Sequence, residues 1–241
     1  MTTPTALDSF LDKWRARWPE WAVAEVFAPE GQRARTLAWF ALLQEFDDIL
    51  NVAGDPLPAD AKLGWWATEL RDWSGHRSRH PLGRLLEPVQ APWARLADAL
   101  PDLVPARGRP VDGAAALASL AAYADAVADA EAAVLGGPRA WPQALAAQVL
   151  ATRLAEAGLE AVPLARPVDE AGGAAARERA QRDWAGELLD AWPSRPGGAP
   201  ARRMWSAFAR HRLGLFADGH LPQPGRRPLR TLWQAWRAAR A

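Results

Sequence analysis

The stretch from Gln32 to Asn51, QRARTLAWFALLQEFDDILN, is apolar until its last turns, where three carboxylates and an amide gather. At about 100° per residue on a helix, Asp47 and Asn51 fall one turn apart, with Asp48 beside them and Glu45 near the same rim. Oxygen ligands grouped this way suit Mg²⁺, a hard cation that takes one or two protein carboxylates and completes its octahedron with water and phosphate oxygens. The chemistry implied is the handling of a diphosphate. The plainer alternative is a solvated helix end, with Asp55 as a further acid just beyond it.

The elements that must position these acids are helical. Ala and Leu dominate a chain that is 49% hydrophobic, β-branched residues are few, and strand-like alternation is absent. At 241 residues, one all-α domain over residues 1–241 is expected, with a basic C-terminal tail at 201–241. Helices are predicted from Thr5 to Trp18, through the acid pair to Val52, and from Ala59 to Ser74. Others run from Leu82 to Leu100 with breaks at Pro88 and Pro92, from Ala114 to Leu135, and from Trp141 to Ala157. The last three run from Glu170 to Trp192, Ala201 to Asp218 and Pro228 to Ala239. Trp14, Trp18 and Trp21 form a stripe at helical spacing, which reads as core.

The net charge of +1 gives no general pull toward nucleic acid, and no specific nucleic-acid partner is expected. Without cysteine there is no disulfide, thiolate nucleophile or cysteine-based zinc site. No apolar run approaches the roughly 18 residues of a membrane span, and MTTPTALDSFLDKW lacks the pattern of a leader; a soluble cytoplasmic protein is the expectation.

Downstream of the acid pair lies KLGWWATELRDWSGHRSRHPLGRLLEP, Lys62 to Pro88. The two segments together resemble the squalene/phytoene synthase family of head-to-head prenyl transferases. The likeness rests on Gln32-Arg33-Ala34, Leu37-Ala38-Trp39-Phe40 and the acid pair, then Lys62-Leu63, Trp65-Trp66, Glu69-Leu70, Gly75 and His80-Pro81-Leu82. It implies an isoprenoid synthase-type helical bundle around a central cavity and, ancestrally, Mg²⁺-dependent condensation of prenyl diphosphates. On that resemblance Asp47 and Asp48 are metal ligands and Asn51 is a third, weaker for its lost charge. Arg33, Phe40, Gln44 and Arg153 are the candidate substrate-binding positions.

The chain departs from the family where a metal clamp needs its second side. The family pattern there is an asparagine, an arginine followed directly by aspartate, and another aspartate four residues on. Within Ala144 to Ala165 only Arg153 fits; Leu150, Leu154 and Gly158 replace the other three, and Glu156 or Glu160 substitutes only in a different register. Gln44 stands where the family usually has a diphosphate-binding arginine. The resemblance with these losses implies a degenerate member that binds a prenyl diphosphate or other isoprenoid lipid, or a protein partner, in place of full catalysis.

Other residues carry two readings each. Arg33 is a phosphate contact or a core salt bridge; Trp39, Phe40, Trp65 and Trp66 line an isoprenoid channel or fill the core. His76 and His80 are a metal pair or a packing motif, and Asp125 and Asp129 face the cavity or solvent. Residues 201–241 hold nine arginines against Asp218 alone, a net of +8 within a chain of +1. Trp205, Phe208, Phe216, Trp233 and Trp236 interleave with them, as in helices that rest on an anionic membrane surface. The competing reading is a tail packed across the acidic remainder of the protein.

Overall fold

The computed structural model describes residues 5–166, 173–194, 197–222 and 227–241, and the regular structure among these is helical throughout. Twelve α-helices follow in order among the described residues: α1 (Ala6–Arg17), α2 (Trp21–Ala24), α3 (Arg33–Leu50), α4 (Leu57–Trp73), α5 (Gly83–Leu86) and α6 (Trp93–Ala99). Then come α7 (Gly113–Ser119), α8 (Ala121–Leu135), α9 (Pro142–Ala157), α10 (Gly173–Ala191), α11 (Pro200–Ala217) and α12 (Pro228–Arg240). The expected all-α architecture is present. Glu170 to Gly172, Arg195 and Pro196 in the expected linker, and Arg226 lie outside the described residues.

The axis of the bundle is α3. Its TLAWFALL core is apolar on every side, a pattern a helix sustains only when neighbours surround it. Fourteen of its 18 residues are buried, and α1, α4, α5, α8 and α9 pack around it. It stops at Asn51, whose backbone N–H and side-chain Nδ2 both donate to the carbonyl of Asp47, at 3.0 and 2.9 Å.

The turn after α4 is organised by one fully buried carboxylate. Glu69 accepts from the Trp73 indole at 2.9 Å, from the backbone N–H groups of Arg79 and His80 at 2.7 and 2.8 Å, and from the Arg79 guanidinium at 3.2 Å. Burial alone would raise its pKa, yet these donors together hold it below the ordinary carboxylate value.

One sequence expectation needs correction. The Ala-rich stretch from Ala114 to Leu135 is two helices, broken at buried Leu120 (φ −102°, ψ 0°). The Ser119 hydroxyl donates to the Ala116 carbonyl at 2.8 Å, giving the backbone a local alternative to helical bonding. The two helices expected within 201–241 are present as α11 and α12, in different surroundings. In α11 Met204, Trp205 and Phe208 are buried, and Arg212 donates to Glu20 at 2.8 Å while stacking on Trp18. Only α12 keeps a large apolar face outward: Leu229, Leu232, Trp233 and Trp236 are exposed, while Ala235 and Ala238 turn in. Arg203 ties α12 to α11 by donating to the carbonyls of Ala238 and Ala239, at 2.9 and 2.6 Å.

Candidate functional site

The acid pair splits. Neighbouring residues on a helix diverge by about 100°, so a buried α3 sends Asp47 and Asp48 in different directions. Asp47 points inward, 9% exposed, and none of the described residues hydrogen-bonds its carboxyl group. It borders a void of about 20 Å³ between Leu43, Tyr123, Val127, Gln148, Arg202 and Trp205, room for about one water molecule. Burial pushes the Asp47 pKa up to about 8, with Asp48 and Glu156 adding to the rise against Arg17 and Arg202, so the carboxyl holds its proton at neutral pH. The Tyr123 phenol is pushed well above its usual value by burial and by Asp47.

Asp48 turns toward the rim. Its carboxylate accepts from Lys13 at 2.6 Å and from Gln44 at 2.9 Å, and Arg17 lies at 3.8 Å. Arg17 also pairs with Glu156 on α9, so one guanidinium bridges the two helices where the resemblance implies facing acids. Glu45, 5% exposed in its side chain, takes both lysines of the chain: Lys62 at 2.6 Å and Lys13 at 3.1 Å. Every acid on this rim already faces a protein cation.

The expected central cavity is filled. Glu131 and Arg202, both at most 3% exposed, form a bidentate pair with Nε at 2.8 Å from each carboxylate oxygen. The Trp39 indole donates to the same carboxylate at 2.8 Å, and the Arg202 guanidinium lies over Trp205 and Phe40 at 4.5 and 5.3 Å. Phe40 is wholly buried and packs on Trp14, Trp21 and Trp205, so it is core and lines no channel. Trp39 and Trp66 are core likewise, with Trp65 half-exposed beside them.

The remaining candidates scatter. Arg33 donates to the Ala28 carbonyl at 3.2 Å, and fourteen residues of helix put it about 21 Å from Asp47. Arg153 is buried against the Arg107 carbonyl, its charge disfavoured by burial despite Glu160. His80 is packed against Phe10 and Trp66, with ring centroids at 4.6 and 4.5 Å, while His76 meets Glu87 at the surface. Asp125 and Asp129 each pair with Arg95 and Arg139, away from the Asp47 void.

These residues do not fit Mg²⁺. A divalent cation needs carboxylates converging on it, whereas Asp47 and Asp48 diverge, Asp48 is engaged by Lys13 and the Asn51 amide turns back on its own helix. Across the void α9 offers Gln148, not an acid. No group of three or more His, Asp or Glu side chains among the described residues is placed to hold a metal.

Spacing alone did not single out Glu131 and Arg202. Tyr123, Val127 and Glu131 recur every four residues along α8, a visible sign that the last of them follows a buried face. Arg202 was masked by the charge count of its surroundings. Lys13 and Arg17, four apart on α1, carried no signal until α1 was seen against α3.

Residues 19–135 match the squalene/phytoene synthase family. Among solved structures the chain is similar to the squalene synthase HpnC from Alicyclobacillus acidocaldarius, with a TM-score of 0.51 and 18% identity over 99% of this chain and 93% of that one, a likeness of fold. No curated protein matches it in sequence.

Proposed function

We infer, for a chain that belongs through residues 19–135 to the squalene/phytoene synthase family, that the Mg²⁺-dependent joining of prenyl diphosphates has been given up and the fold serves as a binding protein. One observation carries this reading: where the family's chemistry needs room for long chains and a metal cluster, the space beside Asp47 is about 20 Å³, an order of magnitude below the roughly 300 Å³ at which small-molecule pockets begin. The Arg202–Glu131 pair and its aromatic shell occupy the centre, and Lys13, Lys62 and Arg17 stand as counter-cations on the rim.

The proposed place of action is the surface of an anionic membrane, through α12 and without insertion. No helix among the described residues is long and apolar enough to cross a membrane. The outward Leu229, Leu232, Trp233 and Trp236 are accompanied by exposed Arg230, Arg237 and Arg240. Each arginine near an anionic leaflet contributes about 1 kcal/mol, so binding is reversible and weakens with salt.

The deciding experiment is a product and pyrophosphate assay with farnesyl or geranylgeranyl diphosphate and Mg²⁺. Neither product nor pyrophosphate is expected. Turnover that disappears in Asp47→Asn would overturn the reading.

A further inference from the structure

One hollow bordered by α12 carries three tryptophans, and it lies at the periphery, where α12 crosses α11 above the start of α9 and the end of α10. It measures about 260 Å³ and is walled by Trp141, Leu145, Trp192, Ala207, Trp233 and Ala238. No acidic side chain among the described residues lines it. Of its four arginines, Arg202 is committed to Glu131, and Arg203 to the carbonyls of Gly198, Ala238 and Ala239. Arg210 and Arg237 are exposed, with no carboxylate within ion-pairing distance among the described residues. Arg237 stacks over Trp233 at 4.7 Å, which holds its charge at the mouth.

The walls are set rather than collapsed. Gly197 lies so close to the Trp141 indole that a Cβ there would come within 2.1 Å of the ring, so one face of Trp141 is braced while the residue stays 54% exposed. Trp233 belongs both to this wall and to the outward face of α12, making the hollow continuous with the surface proposed to meet lipid.

We propose that this groove binds one anionic single-chain amphiphile, its tail along Trp141, Trp192 and Trp233 and its phosphate or carboxylate head between Arg210 and Arg237. The apolar wall disfavours a polar ligand, the two exposed cations select a negative head, and the modest volume admits one chain. The inference rests on the reading of the protein as a binder and gives that reading a ligand class and a place.

The test uses the full chain without detergent, titrated with dansyl-labelled undecanoate below its micellar range, followed by energy transfer from tryptophan. Saturable one-to-one binding is expected, displaced by farnesyl monophosphate and far less by uncharged farnesol. Ala207→Trp, which fills the groove from a half-buried position, is expected to weaken binding about tenfold or more, and exposed Arg210→Glu about fivefold or more. Vesicle binding through the outer face of α12 persists in Ala207→Trp. Absence of saturable binding in the wild type overturns the proposal, and so does unchanged affinity in both variants. Prenyl diphosphate turnover alongside normal dansyl binding would sink the functional reading alone; silence in both assays would sink only the groove.

Discussion

Arg202 and Arg210 sit two turns apart on α11 and live in opposite worlds. The first is sealed in the bundle against Glu131, Phe40 and Trp205, and the second lies open at the rim of a groove that no acidic side chain lines among the described residues. Tryptophan divides the same way: Trp14, Trp39 and Trp205 close the middle of the molecule, whereas Trp141, Trp233 and Trp236 present large apolar surface to solvent. The buried charge pair and tryptophans are packed together at the centre, while the exposed tryptophans and arginines lie at the edge.

The comparison breaks most easily at the centre. Arg202→Met leaves Glu131 buried without a counter-charge, and chemical denaturation is expected to register a loss of about 3–5 kcal/mol. Adding Glu131→Gln should restore part of it, because the stranded charge goes with the change. A loss no greater than that of a surface substitution would mean that the pair is hydrated and the centre is not sealed.

Asp47 gives an effect of similar size, with a definite sign. Between the ordinary carboxylate pKa near 4 and about 8, the native protein keeps a proton that the unfolded chain releases. Stability from this group therefore falls as pH rises through that window, by about 1.4 kcal/mol per unit, and levels off above it. In Asp47→Asn that slope disappears, so urea denaturation should find the variant's advantage larger at about pH 8 than at about pH 5. An advantage that does not change with pH would place the wild-type carboxylate in water.

The smallest effect on folding belongs to the edge. Arg237→Gln should alter stability by no more than about 0.5 kcal/mol. Sedimentation with anionic vesicles should nonetheless weaken by about fivefold at low salt, the equivalent of about 1 kcal/mol. Equal binding of both proteins would remove α12 from the membrane reading.

Much of the fold was legible because punctuation and periodicity are local. Gly54-Asp55-Pro56, Gly136-Gly137-Pro138 and the acid pair's helix appear where expected, and Gly136 closes α8 at φ +60°. The break at Leu120 was hidden, since a serine that returns its hydroxyl to the backbone looks like any other small residue in an Ala-rich run. The site was less legible. Glu131 and Arg202 are 71 residues apart, and their pairing decides whether the centre is hollow. The two helices of 201–241 were legible, but net charge could not tell that one packs inward and the other faces out. Burial at Ala201, Met204, Trp205, Phe208 and Ala209 follows helical spacing and would have marked α11 as core. For α12, where the apolar residues face out, charge and periodicity agree.

The hold of Arg203 on Ala238 and Ala239 reverses the usual order in which an outlying helix comes apart. The last carbonyls of a helix have no partners within it and are normally where unravelling starts. Here two of them are clasped by a side chain rooted in α11, so α12 should fray from Pro228 inward, and its carboxyl-terminal turn should be the last to exchange its amide protons. A helix fastened in this way can lift its leading turns onto another surface and settle back without losing its place.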